Sequence, residues 1–285
     1  MAFPLVLKTL SVFSLGSLYR IADFCSLVVS AFPNRTSRLI RQNIQLCFPH
    51  LDSNAQKQLR RATIKQTCYS ALELAAVWCW PAEKILAHIS NEAVCDSFNQ
   101  SKKGRIVIVP HLGSWELVSL WLARQSDFMC LYKPQASAAV DQFVLNARSR
   151  NGAKMLPIDA SGLRQLSRGL KQGKTVMILP DQRPKKDKAR IMANFFGHEA
   201  PTTPLIHNLC NRIDCDIFLA TIFRESSDKT FHLNLHELDH EKISADQQAS
   251  LDYLNEQIEA LIKQHPEQYQ WGYSRFKPST YRALD

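Results

Sequence analysis

Several signatures that would place this chain quickly are missing from it. Its eight cysteines, at positions 25, 47, 68, 79, 95, 130, 210 and 215, include no CxxC pair and no regular spacing. A chain of 285 residues is also far too long to need stapling, so they read as reduced thiols facing the cytoplasm. No GxSxG elbow occurs, which removes the nucleophilic serine of an α/β-hydrolase. Helix-turn-helix, zinc-finger and aromatic RNP signatures are absent, so nucleic acid is not an expected partner. No internal repeat or low-complexity linker divides the chain. Nor does any charge-free apolar run near the N-terminus reach the roughly 18 residues of a confident membrane span.

What the N-terminus does hold is "MAFPLVLKTLSVFSLGSLYRIADFCSLVVSAFP", mostly apolar but broken by Lys8, Arg20 and Asp23. The apolar stretch runs on past Arg20 and Asp23 and no small-residue cleavage site closes it, unlike a signal peptide. Lys8 and Arg20 can snorkel, while Asp23 must pair or sit near the surface, which predicts a shallow or tilted helical anchor at a membrane. A buried helix of the globular fold is the alternative. The net charge of +9 favours an anionic partner: a phosphorylated substrate, an acidic protein or an anionic membrane surface.

Beyond residue 33 the pattern is helical to about residue 85, with a break at Phe48-Pro49 and Asp52/Ser53 as an N-cap. After residue 104 short apolar runs alternate with helical ones. "RIVIVP", "DFMCLY", "TVMILP", "CDIFLATIF" and "TFHLNLHEL" predict strands, and Glu116–Arg124, Val140–Arg150 and Ser161–Lys171 predict helices between them. The expected fold is α/β, with residues 1–33 as a membrane-associated helical extension and 34–285 as the main domain. Within that domain, 34–100 form a helical lead-in and 101–285 an α/β core.

The apolar run Ile106–Val109 ends at Pro110, and His111 follows at once. Ligands of α/β sheets bind in the crevice at the carboxyl ends of strands, and a strand-to-helix turn presents side chains there on a rigid base. Glu116 lies five positions on, so the two side chains meet only if His111 occupies the turn and Glu116 reaches back from the first helical turns. A carboxylate on one ring nitrogen would fix the tautomer and leave the other nitrogen free to take a proton from a hydroxyl. A histidine that merely caps a turn is the plainer reading of the pair alone.

Three further patterns imitate function. "GLKQGKT", Gly169 to Thr175, is one residue short of a phosphate loop between its glycines and follows a helix instead of a strand. His232, His236 and His240 recur every fourth residue, yet "TFHLNLHEL" alternates as a strand does, so no metal site is expected. Ser114 stands near His111 without the setting of a nucleophile. The basic run Arg183, Lys185, Lys186, Lys188 and Arg190 is either solvated surface or a hold for sugar phosphates or an acidic protein.

"HLGSWE" resembles the His-x4-acid motif of the glycerolipid acyltransferase superfamily, in the glutamate form of the bacterial lipid A late acyltransferases. "LYKP", "NARSRNGAKMLP", "LSRGLKQGKTVMILPDQRP", "NFFGHEAPTTP" and "HPEQYQWGYSRFK" follow in that family's order and spacing, and "RQNIQLCFPHLD" is similar to its N-terminal helical stretch. The resemblance implies a central mixed β-sheet flanked by helices and a catalytic dyad of His111 and Glu116. It implies direct transfer of a fatty acyl chain from acyl carrier protein to a hydroxyl of a lipid A precursor, without an acyl-enzyme, at the cytoplasmic face of the inner membrane. No cofactor or metal is implied. Another lipid acceptor (a glycerophospholipid, an aminolipid or another glycolipid) fits the same residues, and a hydrolase in which His111 activates water or a basic, non-enzymatic protein that holds nucleic acid or lipid are the other classes. Gly113, Ser114, Tyr132, Lys133, Arg148, Arg150, Asp181 and Gln182 are the substrate-binding positions carried over, with Arg148 preferred to Arg150 as the phosphate-gripping arginine. Lys133 stands where the family has arginine, which removes a planar fork, and Ser114 stands where it usually has asparagine.

Overall fold

The five apolar runs read as strands form one sheet in the computed structural model, which describes residues 2–91, 96–184, 190–225 and 230–282. The expected strands are β2 (Gly104–Ile108), β3 (Phe128–Tyr132), β5 (Thr175–Ile178), β8 (Cys215–Arg224) and β9 (Phe231–Glu237). Four more were not evident from patterning: β1 (Ile89–Asn91), β4 (Lys154–Pro157) and a separate hairpin of β6 (Ile191–Phe195) and β7 (His198–Thr202). The seven-stranded sheet has the order β1-β9-β8-β2-β5-β3-β4. Strands β8, β2, β5, β3 and β4 run parallel, whereas β9 lies antiparallel to β8 and β1 parallel to β9, so the sheet is mixed.

The helices are α1 (Ala2–Leu10), α2 (Leu15–Ala31), α3 (Arg35–Cys47), α4 (Ser53–Cys79), α5 (Ala82–Leu86), α6 (Asp96–Gln100) and α7 (Trp115–Gln125). They continue with α8 (Ala138–Ser149), α9 (Ala160–Lys171), α10 (Leu205–Cys210), α11 (His240–Ser244), α12 (Gln247–Gln264) and α13 (Pro278–Arg282). The break at Phe48-Pro49 ends α3, and Asp52 caps α4 by accepting from the Ala55 N–H at 2.8 Å.

Because side chains alternate across a strand, β2, β5 and β8 feed two cores. Ile106, Ile108, Val176, Ile178, Ile217 and Leu219 face one side with residues of α3, α9 and α12. Val107, Met177, Phe218 and Ala220 face the other with Trp121 of α7 and Leu15, Leu18 and Tyr19 of α2. Strands buried on both faces carry unbroken apolar runs, which is why these were the easiest to read.

The N-terminal helices are part of this body. Leu7, Leu15 and Leu18 are buried in a cluster shared with α4 and the sheet and Ala22 is buried as well, while Phe3, Leu5, Val6, Val12, Phe13, Phe24, Leu27, Val28 and Phe32 stand exposed. The two helices thus pack one face inward, as the buried-helix alternative has it, and leave an apolar face outward. Asp23 finds a partner in Lys65 at 2.8 Å and accepts from the Tyr69 hydroxyl at 2.8 Å. Among the described residues no single helix is long and apolar enough to cross a membrane, and the pair α2 and α3, which together pass that test, is bent by 84°.

Candidate active site

Strands β2 and β5 pair in register, Ile108 opposite Ile178, so the residues three positions past each, His111 and Asp181, emerge side by side at the carboxyl end of the sheet. The Asp181 carboxylate, 2% exposed, holds His111 twice. One oxygen bonds the ring Nδ1 at 2.8 Å, and the other accepts the His111 backbone N–H at 2.8 Å. Burial pushes Asp181 upward, but the imidazole's charge and the bonds from His111 outweigh it and leave the carboxyl below the usual aspartate range. A carboxylate on Nδ1 selects the tautomer with its proton there and the lone pair on Nε2. Consistent with that, the Gln182 amide donates to Nε2 at 3.0 Å and to Gln270 Oε1 at 3.2 Å.

The turn carrying His111 is tied down along its length. Leu112 N–H bonds Pro110 O at 2.7 Å, Gln270 N–H bonds His111 O at 3.0 Å, and Gly113 N–H bonds Gln268 O at 3.1 Å. Gly113 has φ +63°, and a Cβ added there would lie 2.1 Å from the Ile222 carbonyl oxygen, so both conformation and space require glycine. Ser114 donates its backbone N–H to that carbonyl at 2.7 Å and is buried at the N-cap of α7. Neither residue lines the cavity in front of His111; their part is to shape the turn.

The contact expected between Glu116 and the imidazole is replaced by another. Glu116 lies on the first turn of α7 and forms a two-pronged pair with Arg148 of α8, one prong from Nε to Oε2 at 3.1 Å and the other from Nη2 to Oε1, while Trp78 Nε1 donates to Oε2 at 3.1 Å. Five residues of separation across the turn carry the carboxylate past the ring, and Asp181 fills the place next to Nδ1. Burial would lower Arg148, but the Glu116 charge and bonds raise it further. The fork expected to grip a phosphate is therefore already engaged, although Glu116 and Arg148 both line the cavity. Arg150 points elsewhere, donating to the Val77 and Trp80 carbonyls at the C-terminus of α4, where a cation complements the helix end. Tyr132 is buried and donates to Asp141 at 2.6 Å. Lys133 lines the cavity. Of the basic run, Lys185, Lys186 and Lys188 lie outside the described residues, while Arg183 and Arg190 bond the Phe276 and Pro184 carbonyls.

The cavity in front of His111 holds about 380 Å³. Its polar wall includes His111, Glu116, Lys133, Arg148 and Gln182, and its apolar wall includes Leu131, Met155, Ile158, Met177, Leu179 and Leu205. Cys130 also lines it, but burial, assisted by Glu116 and only partly opposed by Arg148, pushes its thiol up to about 12. It stays protonated at neutral pH, which is not the state of a nucleophilic thiol.

Patterning gave no warning of a second set of polar groups behind the turn. Arg224, at the end of β8, pairs with Glu73 of α4, both almost wholly buried, and the Tyr19 hydroxyl of α2 donates to the same carboxylate at 2.5 Å. As for metals, one group of soft donors assembles among the described residues: Cys210, Cys215 and His240, with ligand atoms within 4.8 Å of one another. They sit at the other end of the sheet, where Cys215 pairs with Gly104, and three donors fall short of the four that a structural zinc takes. The seven described cysteines, all but Cys95, are free thiols.

Known proteins resemble this chain over most of its length. The chain is 24% identical to a lipid A biosynthesis palmitoleoyltransferase of Escherichia coli K12 over 249 residues, covering 86% of this chain and 80% of that protein. It is 22% identical to the lipid A biosynthesis lauroyltransferase of the same strain over 263 residues, covering 91% and 85%, and 23% identical to its myristoyltransferase, covering 80% and 71%. The family model for bacterial lipid A biosynthesis acyltransferases matches residues 3–278; with nearly its whole length matched, the chain belongs to that family.

Proposed function

We propose that the protein transfers a fatty acyl chain from acyl carrier protein to a hydroxyl of a lipid A precursor, at the cytoplasmic face of the inner membrane. The observation that carries this reading is an imidazole whose Nδ1 is fixed by a buried carboxylate and whose Nε2 side borders a cavity with one polar and one apolar wall. His111 Nε2 takes the proton of the acceptor hydroxyl as its oxygen attacks the thioester carbon. The C–S bond breaks on collapse of the tetrahedral intermediate, and the imidazolium returns the proton to the departing thiolate. Asp181 stabilises the imidazolium in between. In the resting site Gln182 occupies the hydrogen-bond position at Nε2 that the acceptor hydroxyl must take.

The apolar wall suits an acyl chain, and the Glu116–Arg148 pair then acts beside the reacting atoms instead of on the ring. Arg148 presents positive charge to the cavity while Glu116 fixes its orientation, so the histidine and glutamate of the motif cooperate through separate contacts. The net charge of +9 suits an acidic carrier protein and anionic lipid. The exposed apolar face of α1 and α2 suits shallow insertion.

The test is a transfer assay with the purified full-length chain, acyl carrier protein thioesters as donors and a panel of lipid A precursors, glycerophospholipids, aminolipids and other glycolipids. Acylated lipid A precursor, identified by mass spectrometry, is the expected product. Acylation of another panel member alone would move the acceptor and keep the mechanism. Free fatty acid without any acylated acceptor would overturn transfer in favour of hydrolysis.

A further inference from the structure

The backbone of Gly113, two residues past His111, is held through both its N–H and its carbonyl by groups that no pattern in the catalytic motif includes. Its N–H donates to Gln268 O at 3.1 Å, and its carbonyl accepts from Arg224 Nη2 at 3.1 Å. Those two holders are themselves joined: the Arg224 backbone N–H donates to Gln268 Oε1 at 3.0 Å, and Gln268 Nε2 returns a bond to Arg224 O at 3.0 Å. The rest of the guanidinium is used up behind the turn. Nε meets Glu73 Oε1 at 2.5 Å, and Nη2 also reaches Glu73 Oε2 and Ser70 Oγ, each at 2.7 Å. Glu73 in turn accepts from the Tyr19 hydroxyl of α2 at 2.5 Å.

A buried arginine and glutamate stabilise a fold no better than well-packed apolar side chains of the same size, since each loses its hydration. What an apolar replacement cannot do is donate to a backbone carbonyl. We infer that Arg224 is a positioning residue for acyl transfer: it fixes the Gly113 carbonyl and with it the placement of His111. Glu73 and Tyr19 link that grip to the seating of α2. The fork geometry matters, because one planar group serves Glu73, Ser70 and Gly113 at once. The inference rests on the reading of His111 as the general base.

Two variants of the full-length chain test it beside His111→Ala. Glu73→Gln with Arg224→Met removes both charges together, keeps the volume and leaves Tyr19 an acceptor. It should fold with a melting temperature modestly below that of the parent, since the buried Gly113 carbonyl loses a donor, while kcat falls about 100-fold, the loss that a misplacement of about 1 Å produces, and the KM of donor and acceptor stays unchanged. Arg224→Lys retains the charge opposite Glu73 but loses the fork, and should recover part of that kcat. A purely structural role would instead lower the melting temperature with kcat of the folded fraction preserved. A folded double variant with kcat within about threefold of the parent overturns the inference; should that variant not fold, Arg224→Lys with parental kcat does so. An active His111→Ala enzyme would remove the general-base reading first, whereas an inactive His111→Ala beside fully active Arg224 variants would remove only this inference.

Discussion

Replacing Asp181 by asparagine gives the sharpest test of how the site works, because the two shapes match and only the hydrogen-bond chemistry differs. Asp181 accepts from two N–H groups of the same residue, the ring Nδ1 and the backbone nitrogen of His111, both at 2.8 Å. An asparagine has one acceptor and one donor there. If its oxygen takes the ring N–H, its amide nitrogen faces the backbone N–H donor to donor; if it turns over, it faces Nδ1 with a hydrogen and drives the ring proton to Nε2, where no base remains. The first arrangement leaves one buried donor unsatisfied, worth roughly 1–3 kcal/mol of stability, whereas the second satisfies both donors but removes the base. The negative charge that stabilises the imidazolium is gone as well, so kcat should fall by about 100- to 10,000-fold, the usual span of general-base assistance. Stability adds a second readout. Asp181 titrates lower in the folded protein than its usual value, so the folded state binds fewer protons there. The carboxylate stabilises the fold above about pH 4 and loses that contribution as acid titrates it. The variant should lack this part of the acid-induced loss of stability. Transfer rates from pH 4 to 9 and thermal melts carried down to about pH 2, on parent, Asp181→Asn and His111→Ala, measure both. An Asp181→Asn enzyme within about threefold of parental kcat, beside an inactive His111→Ala, would refute the role given to Asp181.

Arg148→Lys should lower the melting temperature, corresponding to about 1–3 kcal/mol, because an ammonium cannot reproduce the two-pronged contact with the largely buried Glu116; Glu116→Gln should do the same, and chemical denaturation of either at parental stability would disprove the structural importance of the pair. Cys130→Ala should keep the transfer rate within a fewfold of the parent, since its thiol stays protonated near neutral pH, and a dead enzyme with an intact melt would revive a covalent thioester route. Placing Glu at Phe24, Leu27 and Val28, all exposed, should shift the protein from the membrane fraction toward the soluble one with its melting temperature unchanged. Complete retention in the membrane fraction after a high-salt wash would assign binding to another surface. Deleting residues 1–32 is a poorer version of this experiment, because it also strips Leu15, Leu18 and Tyr19 from the core.

The sequence was most legible where a single physical demand dominates. Doubly buried strands need unbroken apolar runs, so β2, β3, β5 and β8 were evident. Strand β4, Lys154–Pro157, carries a lysine and a proline and pairs only with β3, so it does not look like a strand until its neighbour is known. His111 was legible only through the resemblance carried by the blocks around it, because an imidazole after such a run is most simply a turn cap. Asp181 was named as a substrate-binding position, but its partner was not visible. The clue lay in the shared shape of "VIVPH" and "MILPD", which matters only once β2 and β5 are known to be neighbours in register. The pairing of Glu116 with Arg148 and of Glu73 with Arg224 joins residues 32 and 151 positions apart; local spacing carries no information about either.

The partners that complete the His111 turn arrive late along the chain. Asp181 lies 70 positions after His111, Arg224 lies 111 after Gly113, and the segment contributing Gln268 and Gln270 is near the C-terminus. Local helices can form early, but loops this long must close before these contacts exist, and such closure is slow. A nascent or half-folded chain therefore has His111 in a loose turn, without its carboxylate and without a fixed tautomer. Transfer activity should return only in the last phase of refolding, after far-ultraviolet dichroism has largely recovered.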